Sequence, residues 1–242
     1  MFKPAYKLTI GKKLIDTTDD PKASTVVDLI VNLDLDTPAD RFTLVLGQVG
    51  GIQPSPGVEA KIELGYADNG SLTQVMTGTV VTVEPGLTTR RVIGYSAASV
   101  LLRTFVDRTY ESKTAGQIVR DLASRASVEA ATAEDGINFP AYVVNSQRSN
   151  YHHMGDLADL SGFDLYINAD GKLVFEKFIG GKTVHVFEYG KHILELDFLQ
   201  SPPRASLVEA WGESPSGRGG AESWAWLTKD FSSLKGTAGE GS

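Results

Sequence analysis

The side chains best suited to chemistry in this sequence are carboxylates and imidazoles. Asp34 and Asp36 fall two residues apart in the run Asp28–Asp36 (DLIVNLDLD). On a strand they share a face at about 7 Å separation, a spacing compatible with the acid pair of a glycosidase. Such pairs sit on different elements across a cleft, whereas these continue a row of acids that begins at Asp28. A solvated or channel-lining acidic face, Asp28, Asp34 and Asp36, is the better assignment. His152 and His153 are adjacent, with Asp156 one turn beyond His152. Neighbouring helical residues point about 100° apart, which excludes the facing pair of a zinc protease. A His–Asp helix contact or a partly buried ring is the better assignment, with a metal site the remote alternative. His185 and His192 have no recognisable ligand spacing around them.

Three further motifs fall short of the chemistry they suggest. Asn168-Ala169-Asp170-Gly171 has the alternating oxygens and glycine of a calcium loop's centre, but Tyr166 and Lys177 stand where the end ligands belong. A hairpin turn accounts for it. Gly212-Glu213-Ser214-Pro215-Ser216 lacks the final glycine of a nucleophile elbow and the helix that should follow. Gly47–Gly57 (GQVGGIQPSPG) runs into Pro54, Pro56 and a strand, not into the helix N-terminus that a phosphate cradle needs. Trp211, Trp224 and Trp226 cluster near the C-terminus, where core or subunit-interface packing is commoner than sugar binding. No constellation supports an enzyme, and none calls for a cofactor or a metal.

Composition narrows the classes further. The absence of cysteine excludes disulfide scaffolds, thiolate metal sites and cysteine nucleophiles. Thirty acidic against 23 basic residues, net −7, argue against nonspecific nucleic-acid binding, which needs cations to displace phosphate counterions. No apolar run approaches the ~20 residues of a membrane helix, and MFKPAYKLTI has no apolar stretch of signal-peptide length. The 242 residues suit one large domain or two modest ones.

The elements that must position these residues are mostly strands. Leu29, Val31, Leu33 and Leu35 alternate with the acids of Asp28–Asp36, predicting one half-buried strand. Val58–Tyr66 alternates with Val58, Ala60, Ile62, Leu64 and Tyr66 inward; Asp68-Asn69-Gly70 then turns the chain into a partner at about Thr73–Val83. Another strand runs near Thr89–Tyr95, before a short apolar helix at Ala97–Thr104. The period then changes. Ile118, Val119, Leu122, Ala123 and Ala126 form a helical stripe in Thr114–Ala126, with Thr114 and Gln117 spaced for a capping box. A small-residue linker, Ser127–Gly136, leads to a strand at about Ala141–Asn145. A second helix starts near Ser149 or Asn150, with Tyr151, Met154, Leu157 and Ala158 on its buried side, and ends at Gly162. A hairpin of Phe163–Asn168 and Lys172–Phe178 comes next, then strands at Thr183–Tyr189 and Ile193–Leu199. Pro202 and Pro203 mark a boundary; Ser206–Gly212 and Glu222–Leu227 flank a Gly/Ser-rich loop, and Ser232–Ser242 reads as a flexible tail.

In order, IELGY (Ile62–Tyr66), TGTVVTVE (Thr77–Glu84), TAGQIVRDLA (Thr114–Ala123) and the stretch from Gln147 through LADLSGFDLYINADGKLVFE (Leu157–Glu176) carry a resemblance. The sequence resembles the phage late-control D family of baseplate hub proteins, also seen as the N-terminal part of VgrG spikes in type VI secretion. The match runs from about Tyr6 to Phe178. It implies a mainly β (α+β) fold: a tube-like antiparallel β-barrel or sandwich domain, residues 1–106 with 191–204, interrupted by a helix-containing α+β insert, 107–190. Residues 205–242 would begin a second tube-like domain and end in the tail. Three chains with two tube domains each would make a ring of pseudo-sixfold symmetry, adapting a trimeric spike to a hexameric inner tube.

The implied partners are further copies of the chain, as a homotrimer; the inner tube protein above; a spike protein or domain below; and baseplate wedge or sheath-side proteins. Neither membrane nor specific nucleic acid is among them. The implied location is a virion tail baseplate or contractile injection particle assembled in the bacterial cytoplasm. His153 departs from the family, which has a large apolar residue there. The sequence also stops where most of a second tube domain should follow. That fits a longer chain better than a six-copy ring of one-domain chains, because the Trp-rich segment resembles the opening of an unfinished domain. The alternative is a tail-associated carbohydrate- or cell-wall-binding β module, suggested by the tryptophans and paired acids. A monomeric solute-binding domain is a third.

Overall fold

The computed structural model describes residues 3–19, 24–47, 52–69, 71–178, 186–201, 205–211 and 235–239. The chain divides into two compact units, Met1–Gly180 and Gly181–Ser242.

The first unit opens with β1 (Pro4–Ile10), β2 (Lys13–Asp16), β3 (Val26–Asn32), β4 (Arg41–Gly47), β5 (Glu59–Tyr66), β6 (Ser71–Pro85) and β7 (Thr89–Tyr95). They form one seven-stranded sheet in the order β2-β1-β5-β6-β7-β4-β3, antiparallel at every pairing. Period-2 alternation puts Leu8 and Ile10, Phe42, Leu44 and Leu46, Ala60 and Ile62, Met76 and Val80, and Val92 into one core. A bulge between Ile62 and Glu63 interrupts the β5–β6 register, and beyond it Leu64 and Tyr66 stay exposed rather than inward. Phe42 lies over Gly94, where a Cβ would meet the ring at 2.2 Å. Glycine there makes room for the largest side chain of the core.

The second core belongs to α1 (Ala98–Leu101), β8 (Arg108–Thr114), α2 (Ala115–Arg125), β9 (Ala130–Ala133), β10 (Asn138–Val144), α3 (Asn150–Ser161), β11 (Asp164–Ile167) and β12 (Leu173–Glu176). β8 and β10 make an antiparallel ribbon; β11-β12-β9 make a small sheet in which β12 and β9 run parallel. The predicted capping box is present: Thr114 Oγ1 accepts from Gln117 N at 3.2 Å, and Thr114 N donates to Gln117 Oε1 at 3.3 Å. The apolar stripe of α2 packs with Leu101, Met154, Leu157, Leu173 and Phe175. α3 ends at Gly162 in the left-handed region, φ 66°. Buried Asn150 donates from Nδ2 to the Leu122 carbonyl at 3.1 Å, tying α3 to α2.

Several elements differ from the sequence expectation. The strand expected over Asp28–Asp36 stops at Asn32. The linker expected at Ser127–Gly136 contains β9, a strand made by pairing with β12 rather than by its own alternation. In the second unit, residues 186–201 hold a bridge between Tyr189 and Ile193 where the described part of the strand expected at Thr183–Tyr189 and all of that at Ile193–Leu199 should lie; residues 183–185 are outside the described residues. Without a partner ladder, Leu194, Phe198 and Leu199 remain exposed. β13 (Leu207–Trp211) falls where a strand was expected, but it pairs with β14 (Lys235–Gly239), inside the segment read as a flexible tail. Cross-strand hydrogen bonding overrides the weak local propensity of Gly236 and Gly239. The strand expected at Glu222–Leu227 lies outside the described residues.

Candidate functional site

The acids singled out from the sequence do not form one face. Asp28 is exposed on β3, one of the two outermost strands, on the side that also carries Ile30 and Asn32. Asp34 and Asp36 belong to the turn that follows. Asp34 Oδ1 accepts from Asp36 N at 2.9 Å, and Oδ2 accepts from the Thr37 hydroxyl at 2.8 Å. These bonds fold the chain back on itself, as an aspartate at the head of a turn does. They also hold the Asp34 carboxyl below the usual carboxylate range, the Asp36 amide first and Thr37 second. Asp34 N in turn donates to Asp40 Oδ1 at 3.1 Å, while burial pushes the Asp40 carboxyl upward. The spacing D-x-D-T-P, with Pro38 closing it, was the signal for a turn rather than a longer strand.

His152, His153 and the Asn168 turn are hydrogen-bonded within the fold, and His185 lies outside the described residues. His152 Nδ1 lies 2.7 Å from Ser149 Oγ, at the start of α3. His153 is the buried ring, its Nε2 3.0 Å from the Asn145 carbonyl oxygen. A polar anchor thus fills the place of the expected apolar residue. Asp156 pairs with Arg148, whose Nη2 donates to Oδ1 at 3.0 Å, instead of with His152. At the β11–β12 hairpin, Asn168 Oδ1 accepts from Lys172 N at 3.0 Å, and Gly171 has φ 80°. Ala169 O and Asp170 Oδ1 accept from Gln74 Nε2 at 2.9 and 3.1 Å. These oxygens fasten the hairpin to β6, so they are not arranged around a cation. Among the described residues no group of three or more His, Asp or Glu side chains is placed to hold a metal ion. No described helix is long and apolar enough to cross a membrane. Trp211 lies on β13, whereas Trp224, Trp226 and the Gly212–Ser216 motif are outside the described residues.

Two kinds of surface remain. The first is the pair of sheet edges: β2 and β3 are outermost and present Leu14, Val27 and Ile30 at 58%, 66% and 47% exposure. Unpaired strand edges with apolar side chains template further strands or neighbouring chains. The second is a pair of grooves beside the 33–40 turn. One, about 350 Å³, lies between the sheet and the α+β block and is lined by Leu33, Asp34, Asp40, Met76, Tyr166 and Ile167 among others. The other, about 320 Å³, has walls of Leu35, Tyr151, Phe163 and Leu165 with carboxylates Asp36, Asp159 and Asp164. The first groove is mostly apolar, whereas the second mixes apolar and acidic side chains. Both grooves escaped the sequence because they join residues more than a hundred positions apart.

No family model matches this sequence, and no curated protein matches it. The fold has counterparts among solved structures. The 43 kDa tail protein of prophage MuSo2 from Shewanella oneidensis is similar with a TM-score of 0.58 at 17% identity, over 72% of this chain and 53% of that one. A tail protein from Neisseria meningitidis MC58 is similar with a TM-score of 0.52 at 16% identity, over 72% of this chain and 50% of that one. The fold is that of tail proteins. This chain spans about half the length of each of those two structures.

Proposed function

We propose that this chain is a structural baseplate hub protein of a contractile phage tail or contractile injection system, adapting a trimeric spike to the hexameric inner tube. The observation that carries the proposal is the tail-protein fold built around an antiparallel sheet whose two edge strands both present apolar side chains to solvent. A hub ring closes such edges with neighbouring copies. Non-enzymatic assembly agrees with the structural roles of His152, His153, Asp34 and Asn168.

In this proposal the sheet is the first tube-like domain, residues 107–190 are the insert, and β13 opens a second tube-like domain. A trimer of such chains reaches sixfold shape by duplication within each chain. Asp28 faces the lumen, with Asp34 and Asp36 at the turn that ends β3. Trp211, Trp224 and Trp226 sit at a subunit interface. The inner tube protein binds above the ring, the spike below, and wedge or sheath-side proteins around it, in a virion tail baseplate or injection particle.

The test is to mix the chain with purified inner tube protein and with peptidoglycan in parallel. Co-sedimentation with the tube protein and no saturable binding to peptidoglycan is the expected result. Saturable peptidoglycan binding without tube association overturns the proposal in favour of a cell-wall-binding module.

A further inference from the structure

A depression of about 330 Å³ opens on β8 and α2, lined by Arg108, Tyr110, Lys113, Gln117, Arg120 and Asp121. Three cations meet one carboxylate there, and that carboxylate is already engaged. Asp121 Oδ2 accepts from the Tyr110 hydroxyl at 2.6 Å and from Arg125 Nε at 2.7 Å, with Arg108 Nη1 3.8 Å away. Arg120 is oriented by Asp135 at 3.0 Å and by the Ala133 carbonyl. Lys113 has no ion-pair partner among the described residues. In a chain of net charge −7, three cations thus line one depression beside a single carboxylate.

The groove beside the 33–40 turn has the opposite character. It is lined by Leu35, Tyr151, Phe163 and Leu165 together with Asp36, Asp159 and Asp164, and these three carboxylates have no ion-pair partner among the described residues. The two depressions share no residue. A ring requires a heterologous interface, two different patches on each chain that fit each other. Neither depression can meet its own copy without like-charge repulsion, whereas each offers what the other lacks. Arginine and lysine stems cover apolar walls while their heads reach carboxylates.

We propose that Arg108, Lys113 and Arg120 of one copy dock against the groove of Asp36, Asp159 and Asp164 on the next copy. This rests on the ring assembly proposed above and names the contact that closes it.

The experiment uses the 242-residue chain and two charge-reversed variants, R108E/K113E and D36K/D159K, followed by sedimentation velocity. Circular dichroism checks that each variant is folded. Each variant alone is expected to self-associate about tenfold or more weakly than wild type. An equimolar mixture recovers assembly, because each reversed patch then meets a complementary one. K113E alone, at an exposed side chain without an ion-pair partner, gives the same direction with a smaller loss. Added salt weakens wild-type assembly, since ion pairs between exposed side chains are screened by it, and salt-independent assembly counts against the contact. Wild-type-like assembly of the reversed variants, or no recovery on mixing, overturns this contact while leaving the ring standing. A wild-type chain that stays single at every concentration overturns the ring as well.

Discussion

In the α+β block, α2 and α3 close with two small sheets around Leu101, Ile118, Leu122, Met154, Leu157, Leu173 and Phe175, all sealed within one chain. In the seven-stranded sheet, an equally well buried core of Leu8, Phe42, Leu44 and Ile62 ends at β2 and β3, which pair with no further strand among the described residues. Val27 and Ile30 on β3, and Leu14 on β2, remain in solvent where a further strand or chain would cover them. The block is closed by its own helices, whereas the sheet ends at the short charged strand β2 on one side and at the longer, mostly apolar β3 on the other. Natural sheets that must stay apart guard such edges with charges, prolines or short strands. Here β3 carries one acid, Asp28, among Val26, Val27, Leu29, Ile30 and Val31.

The contrast can be broken most severely from the block's side. Phe175→Ala removes a fully buried ring that packs edge-on against Phe163, 5.1 Å between centroids. It should lower unfolding free energy by about 3–5 kcal/mol, read from urea denaturation of the chain. Gly94→Ala attacks the sheet's core instead, by forcing a methyl group against Phe42. Overpacking of this kind lowers stability by about 1–3 kcal/mol, and Phe42→Leu in the same chain should recover part of it.

Thr114→Ala deletes the side chain that caps α2, a loss of about 1 kcal/mol visible in the same urea titration. Ile30→Lys sharpens the contrast from the other side. Stability of the single chain should change by no more than about 0.5 kcal/mol, while self-association measured by sedimentation falls. An edge substitution that unfolds the chain as a core substitution does would erase the distinction between the two regions.

The smallest effect is in acid. Arg120 first, and Thr114 second, hold the Asp135 carboxyl below the ordinary carboxylate value of 3.8. A depressed folded pKa means that the stabilisation is complete above 3.8 and fades as pH falls through the lower folded value. Asp135→Asn should therefore lower stability slightly at neutral pH and converge with wild type as pH falls below that value, which flattens the acid limb of the pH–stability profile.

How much of this was legible depended on whether the determinant was local. α2 carried both its stripe and its cap within Thr114–Ala126, and Gly162 announced the end of α3; both are as the sequence implied. The β5, β6 and β7 meander followed from alternation and a turn. The order of the whole sheet did not follow, because β1 joins β5 and β4 joins β7 across long stretches of chain that share no local signal. Asp34 misled because its spacing fits a strand face, while its side chain satisfies the amide of Asp36 and makes a turn. The groove that gathers Asp36, Asp159 and Asp164 exists only once α3 and β11 lie beside that turn.

In the proposed ring, neighbouring copies cover the open edges of the sheet. Electron microscopy of the assembled chain tests it most directly. The expected image is a closed ring with β3 of one copy against the next. Threefold symmetry goes with a longer chain of two tube domains, sixfold with a single-domain ring. A monodisperse population of single chains at assembly concentrations, with both edges in solvent, would contradict it.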